Sequence, residues 1–130
     1  MSDQKELELN KEIANRLCVE VFQNFPPRLE TIDELVHEDY IQHNPYAGQG
    51  RKGLREFAEG LLTNSRADLD RVNASEFLGL NLIAEGDLVV RHEIRKDWML
   101  VDVFRCRDGL LVEHWDAFRW APGVTPLPGF

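Results

Sequence analysis

His92, Asp102, His114 and Asp116, in the last third of the chain, stand among apolar residues with the two-residue rhythm of strands. A carboxylate and an imidazole held together away from water can exchange protons near neutral pH, the chemistry of general acid/base catalysis. Whether they meet depends on the stretch Met99 to Trp120, whose alternating arms read as a β-hairpin around Cys106-Arg107-Asp108-Gly109-Leu110. A three-residue loop with Gly109 in a positive-φ bulge position pairs Cys106 with Leu110, Phe104 with Val112, Asp102 with His114 and Leu100 with Asp116. Side chains two apart share a face, so Leu100, Asp102, Phe104, Val112, His114 and Asp116 then point the same way. A two-residue Asp108-Gly109 turn would shift the pairing by one and put His114 and Asp116 on the face opposite Asp102.

The preceding arm, Leu88 to Arg95, has an apolar side of Leu88, Val90, His92 and Ile94 and a second side of Val89, Arg91, Glu93 and Arg95. A turn at Lys96-Asp97-Trp98 places His92 level with Leu100 or Asp102, on the inward face. The row Arg91, Glu93, Arg95 is then the charged outer face of the sheet or a polar part of an interface.

The elements that must hold these strands lie upstream. Leu9, Ile13, Leu17, Val21 and Phe25 recur at helical spacing and predict a first helix from about Asp3 to Asn24, stopped by Pro26 and Pro27. Thr31 followed by Glu34 is a capping-box start for a short second helix through about His37. Tyr40 to Pro45 follows as extended chain, with a turn beginning at Asn44 because the residue before a proline is pushed out of the helical region. Gly48, Gly50 and Gly53 connect to a third helix from about Lys52 to Asn64, burying Leu54, Phe57, Leu61 and Leu62. Beyond Arg66 the character changes to strand, with Phe77 to Ala84 a buried strand and Ala84 to Asp87 a tight turn. The tail after Trp120, with three prolines and two glycines in ten residues, reads as irregular cover.

Three helices followed by antiparallel strands imply an α+β fold with the helices on one face of the sheet. At 130 residues the chain is one domain, 1–130, with residues 1–2 and 121–130 as peripheral tails. A net charge of -8 without a basic cluster repels nucleic acid and anionic membrane surfaces. No apolar run is long enough to span a bilayer and the start is too acidic for a signal peptide, so a cytoplasmic location is expected. Cys18 and Cys106 have no metal-type spacing and read as reduced core thiols.

Four runs in this order, Tyr40-Ile-Gln-His-Asn-Pro with Gly50-Arg-Lys-Gly, Ala84-Glu-Gly-Asp-Leu-Val, Val101-Asp-Val-Phe-Arg-Cys-Arg-Asp-Gly and Val112-Glu-His-Trp-Asp, resemble the SnoaL-like polyketide cyclase family of the nuclear transport factor 2-like superfamily. The resemblance covers about Ile13 to Trp120. It implies a cone-shaped curved sheet wrapped around N-terminal helices, an apolar cavity, dimerisation through the outer sheet face, and a cofactor-free enzyme closing a ring by intramolecular aldol condensation. It puts the acid/base aspartate at Asp102 and a histidine at His92. Relatives in the superfamily use such pockets for dehydration, double-bond isomerisation or epoxide hydrolysis.

In that chemistry Asp102 takes a proton from carbon beside a carbonyl, His92 or His114 donates to the resulting oxyanion, and Asp116 orients His114. His43 supports them, and Tyr40, His43, Trp98, Leu100 and Phe104 form the substrate pocket for a small hydrophobic molecule. No cofactor or metal is required: His43, His92, His114 and two carboxylates could converge, but they lack the close helical spacing of a zinc site. Plainer roles stand beside these. His92 could be a core histidine, His114 and Asp116 a mutually satisfied pair, and His43 a cap on the Asn-Pro bend. Trp115 falls on the outer face and Trp120 on the inner one. The rival in another class is a domain of the same fold that holds a small apolar ligand without transforming it.

Overall fold

The computed structural model describes residues 2–127. Ile13, Ala14 and Leu17 bury one stripe of α1 (Ser2–Leu17), and the chain continues without a break as a π-helical segment, Cys18–Gln23, so the expected helix is continuous but changes its winding at Cys18. α2 (Glu30–Leu35) has no side-chain cap. The expected capping box does not form, because Thr31 lies inside the helix and donates its hydroxyl to Glu20 Oε1 at 2.7 Å. β1 (Val36–Gln42) and α3 (Gly50–Asn64) follow, then α4 (Arg66–Asn73), a helix not anticipated, which buries Leu69 and Val72. β2 (Phe77–Glu85), β3 (Leu88–Arg95), β4 (Trp98–Arg107) and β5 (Leu110–Trp120) complete the chain.

The strands form one sheet in the order β1-β5-β4-β3-β2. All neighbours are antiparallel except β1, which runs parallel to β5 and makes the sheet mixed. Register breaks in the β1–β5, β2–β3 and β4–β5 pairs bend it, since a bulge adds local twist. This is the α+β architecture that the resemblance implies, a curved open sheet with the helices on its concave side. Ile13, Leu17, Val21, Ile32, Tyr40 and Phe104 belong to the core between them. Residues 121–127 are irregular, as expected of a tail; the rest of that tail and Met1 lie outside the described residues.

Both hairpins that set the face of each ionisable side chain have shorter turns than expected. Asp108 (φ 52°) and Gly109 (φ 77°) make a two-residue turn, both in the left-handed region that a tight hairpin of this twist requires. Arg107 pairs with Leu110 and Cys106 with Leu111, but Arg105 pairs with Glu113, leaving Val112 as an extra residue in β5. The turn shifts the register by one and the bulge by one more. Two shifts amount to one full pleat, so the facing survives while the partners change: Asp102 lies opposite Asp116 and Phe104 opposite His114.

No bulge interrupts the β3–β4 pair. Ile94 pairs with Met99, so the turn is Lys96-Asp97 alone, and Arg91 falls opposite Asp102 while His92 falls opposite Val101. A slip of one residue exchanges the faces of a strand. Val89, Arg91, Glu93 and Arg95 therefore point inward with Asp102, and His92 points outward, the reverse of the expectation from apolar patterning.

Candidate active site

β4 and β5 present Trp98, Leu100, Asp102, Phe104, His114, Asp116 and Phe118 to a cavity of about 400 Å³ closed on its other sides by the helices. Leu17, Cys18 and Phe22 come from α1 and its π-helical extension, Leu54, Phe57 and Leu61 from α3, and Leu69 and Val72 from α4. Tyr40, Gln42, Asn44 and Tyr46 enter from β1 and the loop after it. The wall is mostly apolar, and Gln42, Asp102 and His114 meet at one corner of it.

At that corner Asp102 and His114 are 5% and 7% exposed. His114 Nε2 lies 2.8 Å from Asp102 Oδ1, and His114 Nδ1 lies 2.8 Å from Gln42 Oε1. The same Gln42 oxygen accepts the backbone N–H of Asn44 at 3.0 Å, which fixes which end of the amide faces the ring. Gln42 itself is clamped, its N–H donating to Gln49 Oε1 and its carbonyl accepting from Gln49 Nε2. With an acceptor at Nδ1, that nitrogen carries a proton. One further proton then lies between Nε2 and Asp102 Oδ1, making the pair either imidazolium with carboxylate or imidazole with carboxylic acid, neutral in sum both ways.

The second oxygen of Asp102 faces the Cys18 thiol, with Sγ at 3.8 Å. Burial, and then the Asp102 charge, push the Cys18 thiol well above its usual range, so it stays protonated and is no nucleophile. The same two causes raise the Tyr40 hydroxyl well above its usual value, and its ring lies nearly parallel to the His114 ring at 6.2 Å. Phe104 packs on the other side of the imidazole at 4.7 Å. Asp116 stands at the mouth with its side chain 23% exposed, Oδ2 lying 3.8 Å from His114 Nε2 and 3.1 Å from Asn44 Nδ2. Asp102, His114 and Asp116 could each offer one ligand atom to a cation, all within 4.8 Å of one another.

Of the residues expected at the site, Asp102, His114, Asp116, Tyr40, Trp98, Leu100 and Phe104 line the cavity. His92 does not: it is on the outer face, Nδ1 lying 3.4 Å from Asn81 Nδ2. His43 also lies outside, its ring stacked on Trp115 at 4.8 Å and Nε2 2.8 Å from Glu113 Oε2. Because β1 pairs parallel to β5 with Gln42 opposite His114, alternation sends Tyr40 and Gln42 inward and turns His43 away. Gln42, rather than Asp116, orients the His114 ring. Gln42 and Asn44 were not anticipated, although their two-residue spacing from Tyr40 was the available signal.

Arg91 was expected outside and is 2% exposed at the cavity floor. Its Nε donates to Asn15 Oδ1 at 3.0 Å and its Nη1 to Glu93 Oε1 at 2.7 Å. Glu93 also accepts from Gln23 at 2.7 Å and from Arg95 Nε at 2.6 Å. Burial alone would raise the Glu93 carboxyl, but these donors together hold it below its ordinary value. Cys18 and Cys106 are buried free thiols, as expected.

Among curated proteins none matches the sequence. Solved structures share the fold: a protein of Jannaschia sp. CCS1 provisionally described as a SnoaL-like polyketide cyclase superposes with a TM-score of 0.62 at 18% identity, covering 85% of each chain. A protein of Acidithiobacillus ferrooxidans, provisionally described as a polyketide cyclase, gives 0.59 at 19% identity over 85% of this chain and 87% of its own. One of Kribbella flavida, provisionally described as a ketosteroid isomerase, gives 0.55 at 20% over 95% and 86%. The family model of the SnoaL-like domain matches residues 19–114, which runs from the π-helical segment through His114 and takes in Gln42, Arg91 and Asp102. The chain belongs to the SnoaL-like domain family.

Proposed function

We propose that the chain is a cofactor-independent enzyme that moves a proton on a small hydrophobic carbonyl compound, as a cyclase of the intramolecular aldol type or a related isomerase, dehydratase or hydrolase. The observation that carries this reading is the Asp102–His114 pair, hydrogen-bonded at 2.8 Å, buried, and facing an apolar cavity large enough for a substrate. Asp102 takes the proton from the carbon beside the carbonyl, and the C–H electron pair passes to the carbonyl oxygen as an enolate. His114, held in one tautomer by Gln42, supplies a proton to the oxygen that ends the step. For an aldol closure that oxygen is the new alkoxide; for an isomerisation the proton returns to a different carbon. Asn44 holds Asp116 at the entrance, with Oδ2 3.8 Å from His114 Nε2.

The relatives described as a cyclase and as a ketosteroid isomerase support the reaction class at the level of fold. We include in the proposal a single domain and a homodimer through the outer sheet face, where Val90, Val101 and Val103 stand opposite the inward rows and Ile83 is 59% exposed.

A test that does not need the natural substrate is deuterium uptake from D2O by a panel of apolar 1,3-dicarbonyl compounds, followed by proton NMR. The wild type accelerates uptake for those that fit, and Asp102→Asn lowers the rate by about 10²- to 10⁴-fold with little change in affinity. An equal rate in the variant removes Asp102 as the base. Because both Asp102 oxygens already have partners, a ligand-binding domain without chemistry is the second reading. Tight binding with no uptake in any case selects it.

A further inference from the structure

We propose that Arg91 is a recognition group for a negatively charged oxygen, so that the ligand is an apolar molecule bearing a carboxylate or an enolate. This deepens the proposed function by naming its substrate class, and rests on the cavity of that reading rather than on the proton transfer. Arg91 has five N–H donors in a planar fork. Asn15 and Glu93 take one each, through Nε and Nη1, and Nη2 has no hydrogen-bond partner among the described residues. Yet no buried side-chain nitrogen or oxygen among the described residues is both enclosed and unpaired, so Nη2 opens onto the cavity that Arg91 lines.

Charge points the same way. Arg91 and Arg95 share the single carboxylate of Glu93, with the three side chains 2%, 14% and 1% exposed. One positive charge in this cluster is therefore unmatched. Asp102, opposite Arg91 on β4, forms no ion pair with it and is turned to His114 and Cys18 in a pair that is neutral in sum. Asp116, the other carboxylate on that row, is at the mouth beside Asn44. An uncompensated guanidinium out of water favours an anion with two oxygens or one charged oxygen. Such an anion would sit at the floor with its apolar body against Phe22, Phe57, Leu61 and Trp98.

The probes are 2-naphthylacetate, its neutral amide, and 2-naphthoylacetone, titrated by calorimetry and Trp fluorescence at neutral pH. The acid is expected to bind at least tenfold more tightly than the amide, or the diketone to bind as its enolate, seen by its shifted absorbance. The first outcome supports a carboxylate and the second an enolate. Arg91→Met should abolish the preference without weakening the amide, and Arg91→Lys should keep part of it. If Arg91→Met does not fold, the wild-type comparison and the lysine variant decide. A wild type that binds acid and amide equally and does not take the diketone as its enolate, or binds none of the three, overturns the proposal, as does a preference that survives in Arg91→Met. The same titrations in Asp102→Asn separate the two readings, because the acid preference should persist there even if deuterium uptake never depended on Asp102.

Discussion

Two hydrogen bonds at Gln42 determine where protons reside in the buried pair. Asn44 N–H pins the amide oxygen, that oxygen pins Nδ1–H of His114, and Nε2 is left to share one proton with Asp102. In the proposed reaction this joins the general acid and the general base at one hydrogen bond before a substrate enters. The Arg91–Glu93–Arg95 cluster behaves differently, since its donors hold its one carboxylate in the charged form. The Glu93 carboxyl is held below its ordinary value of 4.5, so its stabilisation is complete above 4.5 and is lost as pH falls through the lowered native value. Glu93→Gln should cost about 3–5 kcal/mol at pH 7, because it leaves two guanidiniums without their carboxylate. It should also remove this part of the acid destabilisation. Thermal melts of both proteins from pH 7 to pH 3 check this; parallel curves would contradict it.

At the scale of elements, one inserted residue decides whether there is a site. The two-residue turn at Asp108-Gly109 would by itself send His114 and Asp116 to the outer face, and the Val112 bulge returns them. Deleting Val112 should leave a folded hairpin with His114 turned outward and deuterium uptake reduced to the level of Asp102→Asn. Retained activity in a folded deletion protein would mean that the register slips elsewhere. The same arithmetic explains what could be read from the sequence. Alternation identified β3, β4 and β5 and the shared face of Asp102, His114 and Asp116, because strand period is local. Turn length is not legible in the sequence, and each hairpin reads one residue too long there. In β4–β5 the bulge cancelled the error; in β3–β4 nothing did, so His92 and Arg91 exchanged places. Apolar patterning misled there, because the side of β3 with Leu88, Val90 and Ile94 faces outward and the charged side meets Asn15 and Gln23 on the helical segment. α4 was missed since only Leu69 and Val72 of its eight residues are buried, too few to reveal a helical period.

For the whole molecule, the sheet divides two tasks. Its concave side carries the cavity and the convex side carries Val90, Val101, Val103 and Trp115, with Ile83 and Ile41 exposed at 59% and 48%. In the proposed homodimer this apolar outer face is buried against a copy of itself, and a stable interface covers roughly 800 Å² per partner. Sedimentation velocity should find a dimer at micromolar concentration and a monomer for Val103→Glu. A wild type that sediments as a monomer would contradict the proposed homodimer and leave the cavity reading untouched. That reading is tested most directly by the ring-nitrogen NMR spectrum of protein labelled with 15N-histidine. His114 should show a persistent Nδ1–H and a proton bridging Nε2 to Asp102, and Asp102→Asn should change the Nε2 signal while Nδ1 remains protonated. An Nε2 signal indifferent to Asp102→Asn, or a ring exchanging tautomers as a solvent-exposed histidine does, would contradict a buried proton-sharing pair.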